Sequence, residues 1–235
     1  MKTIDLDDWQ RKISAQVIFP IVPFNADTDR IKLMDFTAAN VALTVPILED
    51  TGLFSEHVST ALDNDGAKFG VGGYNEHRTV YSRSRVFDAK AGEEPRRIHL
   101  GIDIWGEAGT PIFSPMDGVV HSFAFNNYFG DYGATIILQH QVDHFIFHTL
   151  YGHLSLKDIH GLKQGQLIKG GTQFAHFGSP PENGHWPPHL HLQIIIDMEK
   201  NHGDYPGVCA ESKRAHYLSN CPDPDILLRL LQYAQ

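Results

Sequence analysis

The chain has 235 residues and a formal charge of −9, with 42% hydrophobic and 20% charged residues. This composition is ordinary for a globular protein. The acidic balance argues against a nucleic-acid-binding surface, which needs clustered Lys and Arg. No stretch approaches the roughly 20 apolar residues needed to span a bilayer, so neither nucleic acid nor membrane is an expected partner.

The chain begins MKTIDLDDWQRK, which lacks the apolar region of a secretion signal. We therefore expect a cytoplasmic location. Thiols stay reduced in the cytoplasm, so Cys209 and Cys221 are expected to be free, although a bridge between them is the alternative. The sequence does not indicate an oligomeric state.

The first 69 residues differ from the rest in their pattern of apolar and turn-forming residues. Leu33 to Leu48, LMDFTAANVALTVPIL, mixes small and apolar residues and predicts a helix that ends near Pro46. Thr51 to Asp65 predicts a second helix. Because no catalytic signature occurs here, residues 1–69 are predicted to form a mainly helical N-terminal appendage to a body that comprises residues 70–235.

The body is predicted to be mainly β. From Gly70 onward, short runs of β-branched and aromatic residues alternate with turn residues, as is typical of strands. The clearest runs are RIHLGIDIW, GVVHSFAF, GATIILQH, FIFHTLYGHL and HLHLQIIID. We expect an antiparallel β-sandwich or flattened barrel, followed by a C-terminal helix in PDILLRLLQYA.

Two short segments offer metal-ligand chemistry. In HLGID, His99 and Asp103 are four residues apart and share one face of a strand. An imidazole and a carboxylate are two arms of a metal site, and a structural hydrogen bond between them is the alternative. In HWPPHLHLQ, His189 and His191 also share a strand face, because the preceding prolines keep the chain extended. One ring can bind a metal while the other stays free for chemistry.

A further histidine lies in YGHLS. His153 follows Gly152, which suits a β-bulge or a close backbone approach. His148 lies five residues earlier, on the opposite face of an unbroken strand. We therefore expect His148 and His153 to serve different sites, unless a bulge at Gly152 changes the faces.

These segments together resemble peptidase family M23, the LytM- and lysostaphin-like zinc endopeptidases. The family carries H-x-x-x-D, a histidine in a segment like YGHLS, and H-x-H, in that order. The resemblance implies a zinc ion held by His99, Asp103 and His191, with a fourth position left for water. It also implies that His153 and His189 form the catalytic pair, without indicating which acts as base.

The resemblance covers residues 99–196 and includes GTPIFSPMDGVV, which is similar to a hairpin of the family. Where the family commonly has a short S-T-G-x segment before H-L-H, this chain has an insert from Pro180 to Pro188 that is expected to shape the pocket. The chain is similar to an M23 branch fused to kinase-like and class III aminotransferase-like domains. Cell-wall peptide is therefore not a safe expectation for the substrate.

The segment GVGGYNEHRTVY precedes the first metal motif. Its polar side chains are predicted to contact substrate, with a solvated loop as the alternative; they are Tyr74, Asn75, Glu76 and Arg78. The predicted function is zinc-dependent hydrolysis of a peptide or small amide. The alternatives are a zinc hydrolase of a small metabolite and a non-catalytic metal-binding regulatory module.

Overall fold

The computed structural model describes residues 4–89 and 92–235. The strands are β1 (Ile31–Leu33), β2 (Phe69–Gly72), β3 (Ile98–His99), β4 (Ile102–Trp105), β5 (Pro111–Phe113), β6 (Gly118–Asn126), β7 (Gly133–Val142), β8 (Phe145–Leu154), β9 (Leu167–Ile168), β10 (Gln173–His176), β11 (His189–Ile195) and β12 (Val208–Cys209). The main element is an eight-stranded sheet with the order β1-β2-β4-β11-β8-β7-β6-β9. Two small sheets pair β5 with β10 and β3 with β12.

The helices of the described residues are few and short. They are α1 (Leu6–Ser14), α2 (Val45–Glu49), α3 (Thr51–Asp65), α4 (Arg214–Asn220) and α5 (Asp225–Leu228), with 3₁₀ turns at Thr79–Arg83, Arg85–Phe87, Leu156–Ile159, Glu211–Lys213 and Leu231–Tyr233. Within residues 4–89 and 92–235, none of the helices has the length and apolar character of a membrane span.

The prediction of a mainly β fold is confirmed. Neighbouring strands of the large sheet are antiparallel, except for the parallel pair β1 and β2 at one edge. The sheet remains open: it runs from β1 to β9 and does not close into the barrel that was one expectation.

Side-chain alternation gives the two faces of the sheet different roles. Alternate residues of the central strands are fully buried in the largest apolar cluster, among them Ile102, Ile104, Leu190, Leu192 and Ile194. Burying such a side chain contributes roughly 1.5–3 kcal/mol. The residues between them, in the same strands, point to the other face and include Asp103, His189 and His191. The alternation that builds the core therefore also collects the polar side chains on one surface.

The helix predicted from Leu33 to Leu48 is wrong. The chain forms β1 and then turns that are held by side chains, since Asp35 Oδ1 accepts from Thr37 N and Asn40 Oδ1 accepts from Ala42 N. Such local bonds compete with a helix. Helix α2 begins only at Val45, and Pro46 stands in its first turn, where proline is tolerated.

The second predicted helix is confirmed as α3, with the same bounds. Asp50 accepts from Leu53 N at its start, and Gly66 ends it in the left-handed conformation. The predicted C-terminal helix is reduced to the four residues of α5 and a 3₁₀ turn. Trp9 and Ile13 of α1 pack in the same cluster as the sheet, and the division of the chain at residue 69 stays a prediction.

Candidate active site

Three side chains converge on one point at the polar face of the sheet. His191 Nδ1 lies 2.9 Å from His99 Nε2 and 3.1 Å from Asp103 Oδ1, and His99 Nε2 lies 3.4 Å from Asp103 Oδ1. All three side chains are buried. The register of the sheet brings two of them together, because His191 pairs with Asp103 across β11 and β4.

His99 reaches this point by a route that differs from the predicted one. The expected continuous strand is broken after β3, and His99 pairs with Val208 of β12. The break occurs at Leu100 and Gly101. A Cβ at Gly101 would lie 2.6 Å from His191 Cε1, so glycine allows the chain to pass against that ring.

The hydrogen bonds behind the two rings determine which nitrogens face each other. His99 Nδ1 lies 2.8 Å from Gly73 O and must donate to it. His191 Nε2 lies 3.0 Å from Gln193 Oε1, and the amide orientation is set because Gln193 Nε2 donates to Pro206 O. Both facing nitrogens therefore carry lone pairs.

Two lone pairs and a carboxylate oxygen in mutual contact need a cation between them. Imidazole and carboxylate are ligands that Zn²⁺ prefers, and three protein ligands are typical of catalytic zinc sites. Histidine ligands that donate their other N–H to a carbonyl or amide oxygen match the usual support of a metal site. The residues present therefore fit a zinc ion held by His99, Asp103 and His191.

Arg78 supports the carboxylate from behind. It is 1% exposed, its Nη1 pairs with Asp103 Oδ2, its Nε donates to Glu76 Oε2 at 2.6 Å, and its Nη2 donates to Gly72 O at 3.1 Å. This arrangement leaves Asp103 Oδ1 for the metal. Although burial opposes ionisation, the charge of the Arg78 guanidinium holds the pKa of the Asp103 carboxyl well below its usual range.

Two further histidines lie beside the metal ligands without joining them. The rings of His153 and His189 have centroids 4.1 Å apart. His153 Nδ1 lies 2.7 Å from Asn183 O, and His189 Nδ1 lies 2.7 Å from Pro187 O. Each Nδ1 donates to its carbonyl, so each Nε2 is the basic nitrogen. His189 Nε2 lies 3.9 Å from Asp103 Oδ1.

A bulge in β8 positions His153. The register between β7 and β8 shifts between Ala134 and Ile136, and His153 has a φ of +63°. The bulge turns His153 toward the face that Gly152 and His191 share. His148 and His153 border different grooves, as expected, but distance along the strand separates them and not opposite faces, because the bulge changes the face of His153.

Burial keeps the histidines of the site neutral. It lowers the pKa of His189 to about 4 and that of His99 to about 3, and it lowers the pKa of His153 well below its ordinary value. Their basic nitrogens are therefore unprotonated at neutral pH, in the state needed to bind a metal or accept a proton.

Four of these five residues, Asp103, His153, His189 and His191, border a cleft of about 250 Å³ with aromatic and polar walls. His189 stacks on Trp105 with centroids 4.0 Å apart. Trp186, from the insert between Pro180 and Pro188, forms another wall, as the sequence predicted for that insert. The other lining residues include Tyr81, Phe87, Arg96, Asp131, Tyr132, Asp204 and Tyr205.

Three of the four predicted substrate contacts do not line this cleft. The Tyr74 hydroxyl donates to Cys221 O at 2.7 Å, Asn75 Oδ1 accepts from Arg214 Nε at 2.7 Å, and Glu76 is engaged by the buried guanidinium. Their polar groups are occupied within the fold, which corrects the prediction. Arg78 does border the cleft, but its role is to hold Asp103.

Sequence reasoning missed two contributors to the site. The Tyr132 hydroxyl lies 3.4 Å from both His191 Nε2 and Gln193 Oε1, and Gln193 sets the tautomer of His191. Gln193 was noticeable, because it lies two residues after His191 and so shares its strand face. Tyr132 lies in a loop before β7, and no local pattern indicated it.

Comparisons with known proteins find relatives over the part of the chain that holds these residues. Residues 97–203 match the family model of Peptidase family M23. The L-Ala--D-Glu endopeptidase of Bacillus subtilis (strain 168) is 34% identical over 125 residues, which are 51% of this chain and 36% of that protein. The peptidoglycan DD-endopeptidase ShyB of Vibrio cholerae is 25% identical over 201 residues, which are 82% of this chain and 43% of that protein. The chain thus covers less than half the length of these relatives.

Among solved structures, the catalytic domain of lysostaphin from Staphylococcus simulans is 22% identical, with a TM-score of 0.45 over 72% of this chain and 96% of that one. The family match covers both free histidines and every proposed metal ligand. The match to peptidase family M23 is thus confined to residues 97–203.

Proposed function

We propose that this protein is a zinc-dependent hydrolase that cleaves a peptide bond. The observation that carries the proposal is that two kinds of histidine lie side by side at the site. His99 and His191 face Asp103 with bare nitrogens, while His153 and His189 keep their own basic nitrogens outside that group. A purely structural metal site has no use for the second pair.

When bound, zinc lowers the pKa of water and polarises the carbonyl to be cleaved. The chain supplies the proton transfers. His153 Nε2 and His189 Nε2 are unprotonated at neutral pH, so one accepts the proton of the attacking water and then protonates the leaving amine. General acid–base catalysis of this kind contributes about 10²–10⁴-fold.

Tyr132 supports a proposed metal ligand. Burial first, and then the charge of Asp204, raises the pKa of its hydroxyl well above the ordinary value. The hydroxyl therefore keeps its proton and donates to Gln193 Oε1 at 3.4 Å. It lies beside His191 Nε2, the nitrogen that points away from the proposed metal, and so supports that ring from behind.

The substrate class follows from the family match and the cleft. The relatives named above are endopeptidases, and one of them is a peptidoglycan enzyme, so a short peptide containing D-amino acids is the substrate we favour. A cytoplasmic location and the branch with kinase-like and aminotransferase-like neighbours stay predictions from the sequence.

Of the two alternative functions, the size of the cleft favours a hydrolase of a small metabolite over a regulatory module without catalysis. At about 250 Å³ it is small, and Trp186 and Tyr132 narrow it. A small amide-containing metabolite is therefore the second candidate substrate. The alternative of a regulatory module without catalysis leaves the two free histidines unexplained.

The test is a cleavage assay with zinc-loaded protein. Its substrates are glycyl peptides, an L-Ala–D-Glu peptide, a D,D-linked muropeptide and simple amides, and products are followed by mass spectrometry. Zinc-dependent cleavage of a peptide, lost after chelation and restored by zinc, is the expected result. Cleavage of simple amides alone would favour the metabolite reading, and zinc binding without any cleavage would refute the hydrolase.

A further inference from the structure

A second group of histidines shares a groove that is separate from the active-site cleft. It comprises His121 on β6, His148 on β8 and His202 in the loop after β11. The His121 ring centroid lies 4.9 Å from that of His148 and 5.6 Å from that of His202. The active-site ligands His99 and His191 have centroids 4.8 Å apart, but among the described residues only the active-site group has ligand atoms that already converge on one point. The rings of the histidine groove are close neighbours that must turn to share an ion.

The sheet places two of these rings together. Strands β6 and β8 flank β7, and their side chains at His121 and His148 meet across it. The loop that carries His202 is anchored to β6, because Gly203 N donates to Ser122 Oγ at 2.9 Å. The groove has a volume of about 820 Å³ and is also lined by Asp197, whose charge acts on His148.

Two of the three rings, His121 and His148, are kept neutral, as metal-binding imidazoles must be. Burial, with His121 as the next cause, lowers the pKa of His148 to about 4, and burial together with His202 lowers the pKa of His121. His148 Nδ1 lies 3.4 Å from Ile195 O and donates to it, which leaves Nε2 with a lone pair. His121 Nδ1 is hydrogen-bonded to Ser122 Oγ at 2.8 Å. Such support behind a ring is usual for metal ligands.

We propose that His121, His148 and His202, completed by the carboxylate of Asp197, bind a second divalent transition-metal ion such as Zn²⁺. Imidazole and carboxylate donors suit zinc. The exposed ring of His202 can rotate to bring its nitrogen toward the other two. The ion would tie β6 and β8 to the loop, and the residues directly after His202, from Asp204 to Val208, line the active-site cleft. Its role is therefore to hold one wall of that cleft.

The experiment measures zinc per chain by equilibrium dialysis and atomic absorption, with isothermal titration for affinities. The intact protein is expected to bind two zinc ions. His202→Gln, a change at an exposed position, should retain one ion and weaken the other by more than about tenfold. Asp103→Ala should also retain one ion, at the histidine groove.

The matched control is His144→Gln, because His144 lines the same groove outside the ring cluster. It should still bind two ions. One zinc per chain in the intact protein would overturn the proposal. So would two tightly bound ions in His202→Gln, or an equal loss of zinc affinity in His202→Gln and His144→Gln. Since dialysis counts ions irrespective of turnover, this result is independent of whether the active site hydrolyses a peptide.

Discussion

Gln193 Oε1 lies 3.0 Å from His191 Nε2 and sets the position of the proton on that ring. The amide is held in turn, because Gln193 Nε2 donates to Pro206 O at 3.1 Å and to Cys221 Sγ at 3.2 Å. The metal-facing nitrogen of His191 thus depends on a residue that cannot reach the metal itself. Gln193 is a positioning residue.

The substitution Gln193→Leu tests this relationship. Without Gln193 Oε1 as acceptor, His191 no longer prefers the tautomer whose Nδ1 carries a lone pair. We therefore expect zinc affinity to fall roughly 10–100-fold. Competition with a chelating dye measures it. Gln193→Glu keeps an acceptor and should restore most of the affinity, so equal loss in both variants would contradict the assignment.

The buried ion pair between Arg78 and Asp103 makes a second prediction. Arg78→Met leaves two carboxylates, Asp103 and Glu76, without their buried cation. Removing one partner of a buried pair costs about 3–5 kcal/mol, so the free energy of unfolding in urea should fall by that amount. Arg11→Met, which breaks an exposed pair with Asp8, should change it by less than about 1 kcal/mol.

The histidines that stand apart from the metal ligands should affect turnover and not metal content. His153→Ala is expected to lower kcat by about 10²–10⁴-fold, because a proton-transfer group is lost, while zinc content stays unchanged. The same result is expected for His189→Ala. The exposed His160 provides the control His160→Ala, which should leave both values as they are. Full turnover in His153→Ala would show that its role is misassigned.

The close approach at Gly101 makes a fourth prediction. In Gly101→Ala the new Cβ would lie 2.6 Å from both His191 Cε1 and Leu192 O. We expect a loss of about 1–3 kcal/mol from overpacking, together with weaker zinc binding because the His191 ring is displaced. In Gly52→Ala the Cβ meets only the Asp50 side chain, at 3.1 Å. Thermal unfolding with and without zinc compares the two variants, and equal effects would be inconsistent with the predicted contact.

His140 predicts how stability depends on pH. It is buried and hydrogen-bonded to Asp117 O and Thr149 Oγ1, and burial lowers its pKa from 6.5 to about 4. The unfolded chain therefore binds more protons between these pH values, so stability present above pH 6.5 is lost as the pH falls toward 4. The loss is about 3 kcal/mol.

Urea unfolding across this pH range measures the effect. His140→Gln should flatten the decline, because the substituted position no longer takes up a proton on unfolding. The exposed His144 gives the control His144→Gln, in which the decline should remain. An unchanged slope in His140→Gln would mean that other groups account for the acid sensitivity.

Local patterns were enough to pick out the candidate site residues. The spacing of His189 and His191 placed both on one strand face, and the structure confirms this because period-two alternation is a property of any strand. Alternation also predicted the main strands, and the length of α3 was readable from its boundary residues. Between Leu33 and Val45 the composition predicted a helix, but side-chain hydrogen bonds to the backbone hold this segment in turns.

Only the tertiary structure decided which partners stand behind the predicted residues. Arg78 lies beside Asp103, and Asn183 O accepts from His153, because segments far apart in the chain are in contact. The bulge that turns His153 is a matter of strand register. Tyr74 and Asn75 carry polar groups suited to a substrate, but packing assigns those groups to Cys221 and Arg214. A sequence shows which donors and acceptors are present; whether they face a cleft or each other depends on how the strands pair.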